Sequence, residues 1–475
     1  MESKEFRSVV KSNGHQQFEK CDRKENELIQ KEYEPYIFGN IHNGIDYWDT
    51  VIHLVRVTIG TGILILPYAF HTVGYGIGIL GTLFIGLLYV NNVHSLLFTE
   101  YRLCKELKVP NLTYVSVVDK TFKVGPSWIK GLGPYFKYLL YFYYGLPTGN
   151  AIYLIIMGQN LNNIYGYYFE KSENKTWTGS SYMDENGDGQ SGDIHLKYSI
   201  SIVIIPLILL CLIPKLKLLV PLSALTNFFT LINIAIIFSY SLHFDQWKYN
   251  GQLIGDLNYV PQFFAIVLQS LIATGIILPL KNDMYKPKQF ASACGVLNVS
   301  FVLLILLYIC FGVVVSLNYG KAIHQNVLRN LPSDELLTLI IHVLYTLALF
   351  VTYTLVFYIY YDTIWMNLLQ EKVLHTPYEK LTKYFLRICV NVVAYLMAIL
   401  VPNFALYTSL IGSVGIILEI SLPSILQLTL IMNSKCKPFV FVYYLLKNTI
   451  IILISFIMFI MSIKSCIFDI IRLYV

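Results

Sequence analysis

Two short strings of small residues carry the chemistry of this sequence. Ile59-Gly60-Thr61-Gly62 interrupts an apolar run from Val51 to Val73 and is followed by Pro67. Ala273-Thr274-Gly275 interrupts a second run from Tyr259 to Leu280 and is followed by Pro279. Glycine weakens a helix and lets a ligand approach the backbone closely. Unwinding exposes N–H groups at the start of the next half-helix, where the positive dipole end attracts an anion. A carboxylate suits such a site, cradled by Thr58, Ile59, Gly60, Thr61 and Gly62, with the Thr61 hydroxyl as a further donor. Small residues also permit tight packing with no ligand, and both readings fit the first string alone. The matching Ala273, Thr274 and Gly275 move the balance to a binding site.

Among the titratable residues in or beside apolar runs, two stand out. Glu419 lies in the run 406–432. A carboxyl at membrane depth is costly when charged, so such residues are rare and usually functional. A neutral acid bonded to a backbone carbonyl, or a helix end nearer the interface, would also account for it. His53 titrates near neutrality, although it stands close to a boundary where it would simply be solvated. Catalysis within the membrane is not expected. His53, His94, His342 and His375 lack ligand spacing, and neither HExxH nor GxSxG occurs. No metal and no cofactor are expected, and Asp184 to Gly189 imitates a calcium loop but meets His195 where a glutamate is needed.

These residues need elements to hold them. Hydrophobic residues make up 55% of 475 and charged residues 13%, with mean hydropathy +0.56, which excludes an ordinary water-soluble domain. Apolar windows of about 20 residues give eleven expected spans, near 50–74, 77–98, 134–163, 195–213, 217–241, 259–280, 292–317, 335–361, 384–401, 406–432 and 439–463. Unpaired backbone at mid-span is tolerated only against protein or water. Two interrupted spans, one opening each half, point to a carrier's binding site.

Residues 1–46 are polar and read as a disordered tail, 47–463 as the transmembrane domain and 464–475 as a short C-terminal tail. The net charge of +6 comes from Lys and Arg scattered among span-flanking loops, so nucleic acid is not an expected partner. Their bias places the N-terminus in the cytosol. The long loop 166–194 then lies outside, where Asn174-Lys175-Thr176 is a glycosylation sequon. The eight cysteines are dispersed without a CxxC pair, which indicates neither disulfides nor a zinc site. Residues 112–118 read as part of a short amphipathic helix at the cytosolic face.

The string His53-Leu54-Val55-Arg56-Val57-Thr58-Ile59-Gly60-Thr61-Gly62-Ile63-Leu64-Ile65-Leu66-Pro67 resembles the first-helix signature of the amino acid/auxin permease superfamily, closest to the animal proton-coupled amino acid transporter branch. Further resemblances follow in order: Val109-Pro110-Asn111, Val124-Gly125-Pro126, Ile152-Tyr153 with Asn160, Leu219-Val220-Pro221, Ile277-Leu278-Pro279-Leu280 and Val401-Pro402-Asn403. The resemblance covers residues 47–463. It implies an all-α integral membrane protein of eleven transmembrane helices, an inverted five-plus-five repeat with helices one and six broken (LeuT-like). It implies secondary active transport of small neutral amino acids by alternating access, coupled to protons. His53 and His94 match histidines proposed to take part in coupling, and Tyr153 matches a cavity position.

The departures from that pattern bear on coupling. Ile272, Gln159 and Lys281 stand where acids are usual, and Arg56-Val57-Thr58 stands where Lys-Gly-Asn is common. Two alternatives therefore stay open: a sensor that binds an amino acid with little flux, and a facilitator or exchanger that works without protons. The expected location is the plasma membrane, with the lysosomal membrane as the alternative.

Overall fold

The computed structural model describes residues 34–35, 44–173, 190–213, 220–242, 251–332, 335–373, 377–433 and 437–474. Most of the expected N-terminal tail and the Asn174 sequon lie outside the described residues. Among the described residues the chain is all helical, and helical segments occupy each of the eleven expected span positions. Among the described residues, seven helical stretches are long and apolar enough to cross a membrane, the divided sixth span counted as one of them.

The first span is divided, as its glycines predict. Helix α1 (Tyr47–Thr58) gives way to a 3₁₀ turn (Thr61–Leu64), and α2 (Leu66–Val73) resumes with proline in its first turn. Helix α3 (Tyr75–Leu107) is the second span. It outlasts the hydropathy window because Glu100, Arg102 and Lys105 ride on its last turns. Helix α4 (Tyr114–Val124) is capped by the Thr113 hydroxyl, which accepts from the Ser116 N–H. Its apolar face, with Val117, Val118 and Phe122, is buried against protein rather than laid on lipid.

The third span, continuous by hydropathy, is two helices, α5 (Gly133–Gly145) and α6 (Thr148–Glu173). Pro147 explains the division: proline forces the preceding residue out of the helical region, and Leu146 is extended at φ −74°, ψ 126°. Helices α7 (Gln190–Cys211) and α8 (Val220–Ser241) are the fourth and fifth spans. The sixth is divided into α9 (Val260–Leu271) and α10 (Thr274–Asn282). Helices α11 (Val296–Tyr319), α12 (Leu336–Ile364) and α13 (Glu379–Leu400) follow. The tenth span runs as α14 (Phe404–Gly415), a π-helical turn (Ile416–Ser421) and α15 (Leu422–Met432). Helix α16 (Pro438–Tyr474) continues well past residue 463.

The two divided spans lie together and are clasped at both faces. At the face where α1 starts, the Ile45 N–H donates to the Asp283 carbonyl (2.8 Å) and the Tyr285 N–H to the Ile45 carbonyl (3.1 Å). At the opposite face, the Gly255 N–H donates to Val73 (2.7 Å) and the Tyr75 N–H to Gln252 (3.2 Å). Gly74 makes this corner possible. Its φ is +85°, and a Cβ there would sit 2.6 Å from the Gly255 nitrogen, so only glycine fits without strain.

Candidate functional site

In the first break, Ile59 leaves the helix at φ −70°, ψ 87° and Gly60 is fully extended. The Gly60 N–H folds back onto the Thr58 carbonyl (2.8 Å). The 3₁₀ turn then begins, and the first N–H groups of a helical segment have no partner within it. Thr58 is buried, and its hydroxyl is already spent on the Leu54 carbonyl (2.8 Å). In the second break, Ile272 is extended (φ −63°, ψ 118°) and Ala273 bridges to α10. The Ala273 N–H is taken by the Tyr89 hydroxyl of α3 (2.8 Å), which also pairs with the Thr274 hydroxyl (2.8 Å).

One residue ties the two breaks together. The Tyr308 hydroxyl of α11 lies 3.1 Å from the Thr58 carbonyl and 2.9 Å from the Ser270 carbonyl. These carbonyls belong to the ends of α1 and α9, where the helix dipole is negative. The glycines around this point divide into two kinds. A Cβ on Gly62 would sit 2.8 Å from the Ser270 Cα, so Gly62 lets the two spans touch. A Cβ on Gly60 would meet nothing nearer than 4.0 Å, and on Gly275 nothing nearer than 3.9 Å. Gly60 and Gly275 thus each have room for a methyl group.

Beyond the sixth-span break stands Glu419, on the π-helical turn. It is 1% exposed, and π-bulges are frequent at functional sites. Its carboxyl accepts from the Tyr144 hydroxyl through one oxygen (2.6 Å), the other oxygen has no hydrogen-bond partner among the described residues, and the Thr274 hydroxyl lies nearby. Tyr89, Tyr114 and Tyr143 complete the surroundings, and the Tyr114 hydroxyl fixes the turn by donating to the Leu418 carbonyl (2.5 Å). Among the described residues no basic side chain acts on this carboxyl.

The other residues singled out in the sequence lie elsewhere. His53 is exposed on α1, near Arg56 and Asp283. His94, on α3, pairs with the Asn298 side chain (2.8 Å). Tyr153 is half-buried and grouped with Tyr345 and Tyr360 of α12 rather than with the breaks. Gln159 accepts from Asn326 (2.9 Å), which joins the third span to the connection between α11 and α12. No cluster of three His, Cys, Asp or Glu side chains that could hold a metal occurs among the described residues.

Sequence reasoning missed the partner of Lys281. Its ammonium lies 2.6 Å from the Glu100 carboxylate of α3, with the two side chains 4% and 1% exposed. The Cys104 thiol donates to the other Glu100 oxygen (3.6 Å). The available signal was an opposite charge at the end of a neighbouring apolar run.

The chain is an all-helical, multi-pass membrane protein whose two divided spans lie together, and its family match makes it a transporter, not an enzyme. The model of the family described as transmembrane amino acid transporter protein matches residues 43–468, and the chain belongs to that family. A curated relative, the proton-coupled amino acid transporter-like protein pathetic of Drosophila melanogaster, is 27% identical over 457 residues, covering 95% of this chain and 90% of the relative. Amino acids are therefore what it transports.

Proposed function

We propose that the chain carries small neutral amino acids across the plasma membrane by alternating access, in symport with protons, from a site between the divided spans. The observation that carries this reading is the meeting of the two breaks, with Tyr308 joining the ends of α1 and α9 and room for a methyl group at Gly60 and at Gly275. The substrate carboxylate meets the N–H groups at Thr61 and Gly62, where the dipole is positive. The ammonium end meets the carbonyl ends of α1 and α9. Thr58 and Ile59 shape the first break by their backbone, and Ala273, Thr274 and Gly275 form the second. Ile272 and Tyr144 limit the side chain to a small one.

Glu419 carries the proton. It has hydroxyl neighbours but no basic counter-charge among the described residues, and a buried charge without one is expensive. With Glu419 protonated, a zwitterionic substrate leaves the loaded site without net charge, so reorientation moves no uncompensated charge through lipid. His53 and His94 are the rival coupling residues. The inverted repeat implied by the resemblance supplies the rocking halves, and the N-terminus faces the cytosol with a glycan on Asn174.

The test is uptake of labelled glycine, alanine, proline and larger amino acids at external pH of about 5.5 and about 7.5, around the ordinary range of histidine. Saturable uptake of the small substrates, stimulated at the lower pH, is expected. Glu419→Gln should flatten the pH response, while His53→Gln and His94→Gln leave it. Uptake equal at both pH values in the parent protein would leave a facilitator or exchanger. Ligand binding without flux would leave a sensor. A plasma-membrane marker, an epitope tag at each terminus and glycosidase treatment address location, orientation and Asn174.

A further inference from the structure

Away from the transport site, a cavity of about 570 Å³ opens between the turn before α9 and one side of α16. Its apolar walls include Leu257, Pro261, Met461 and Phe468, and its polar groups include Asp256, Lys464 and Asp469. The Asp469 carboxylate accepts from the Gln262 side chain of α9 (2.9 Å). Asp256 accepts from the Asn258 N–H and its side-chain amide, both at 2.9 Å.

The depth of these groups follows from helix geometry. Carrier breaks sit near the bilayer midplane, and Gln262 lies nine residues before the end of α9, about 13 Å away at 1.5 Å per residue. The hydrocarbon half-thickness is about 15 Å, so Asp469 stands at its edge. Lys464 is five residues earlier on α16 and about 7 Å deeper. It lies inside the apolar layer, where a long stem lets a charged head reach upward. The cavity therefore presents a cation below and two carboxylates above, with exposed apolar surface alongside.

We propose that this cavity binds a phospholipid with a primary ammonium headgroup, phosphatidylethanolamine in chemical class. In such a lipid the ammonium group lies outward of the phosphate, the same order as the protein's opposite charges. Lys464 pairs with the phosphate as a compact point charge. Asp256 and Asp469 accept N–H bonds from the ammonium, which a choline headgroup lacks. Leu257, Met461 and Phe468 line the acyl chains. Because Asp469 holds Gln262, the bound headgroup bears directly on α9, one of the half-helices at the transport site.

The experiment is thermal unfolding of the purified full chain in detergent, titrated with palmitoyl-oleoyl phosphatidylethanolamine, the matching phosphatidylcholine, the matching phosphatidylglycerol, and chain-free glycerophosphoethanolamine. The ethanolamine lipid should stabilise most, and the chain-free headgroup should have no effect. Lys464→Gln should weaken its apparent affinity about tenfold to a hundredfold, the scale of one charge-assisted hydrogen bond, and Lys464→Arg should retain it. Asp256→Asn with Asp469→Asn should erase the preference for ethanolamine over choline. Equal stabilisation by all three lipids, an effect of the chain-free headgroup, or variants that titrate like the parent would overturn the proposal.

Discussion

Removing one partner of the Lys281–Glu100 pair should cost far more than removing both. The nitrogen–oxygen distance is 2.6 Å and the side chains are 4% and 1% exposed, so neither charge can be rehydrated in place. Lys281→Met leaves a buried carboxylate whose one remaining donor among the described residues is the Cys104 thiol, at 3.6 Å. Breaking a buried pair in this way costs about 3–5 kcal/mol, whereas replacing both charges with groups of similar volume is often neutral. Lys281→Met and Glu100→Gln should each lower unfolding stability by about that amount, and the double variant should recover most of it. The assay is denaturant-induced unfolding of purified protein in mixed micelles, read as a double-mutant cycle, with uptake in cells as a functional check. Single losses below about 1 kcal/mol, the size of an exposed pair, would refute the reasoning and mean that water reaches the pair.

The two glycines of the first break should behave differently: Gly62→Ala abolishes uptake through its collision with Ser270, while Gly60→Ala, with 4.0 Å of clearance, keeps surface expression and measurable uptake. Tyr308→Phe removes the donor between the Thr58 and Ser270 carbonyls, and thermal unfolding should show a loss of about 1–3 kcal/mol. His324, in the connection between α11 and α12, has its pKa lowered from 6.5 to about 4 by burial and by Arg329. The unfolded connection therefore binds more protons between those values, so its stability is full above about 6.5 and falls as pH drops toward 4. Hydrogen-exchange protection factors across residues 320–331, corrected for the intrinsic pH dependence of amide exchange, should fall on acidification, and His324→Gln should flatten that dependence.

The span positions were legible because lipid demands a long apolar run wherever backbone crosses it. The breaks were legible because glycine weakens a helix and two strings of small residues interrupt runs that are otherwise apolar. Helix ends were not, since hydropathy stops where charge begins while a helix does not: α3 continues through Glu100 and α16 through Asp469. The division at Leu146 could have been read from Pro147, but a proline inside a membrane helix often only bends it. Within the candidate site, sequence marked Glu419 but not the tyrosines around it. Tyr89, Tyr114 and Tyr144 come from distant segments and look like many other tyrosines in the chain. Nor could sequence separate Gly62, which packs against Ser270, from Gly60, which has room for a methyl group. That distinction exists only once the two spans cross.

The clasps at the two faces turn four half-helices into two levers. Ile45 couples the outer end of α1 to the end of α10, and the pairing of residues 73–76 with 252–255 couples α2 to the start of α9. Each lever thus takes one arm from each divided span, and the pivot is where Tyr308 touches both. A linkage built this way has few independent motions: pulling one arm pulls its mate from the other half of the chain. A load applied at Ile45, such as a partner bound there, would reach α10 without touching the substrate.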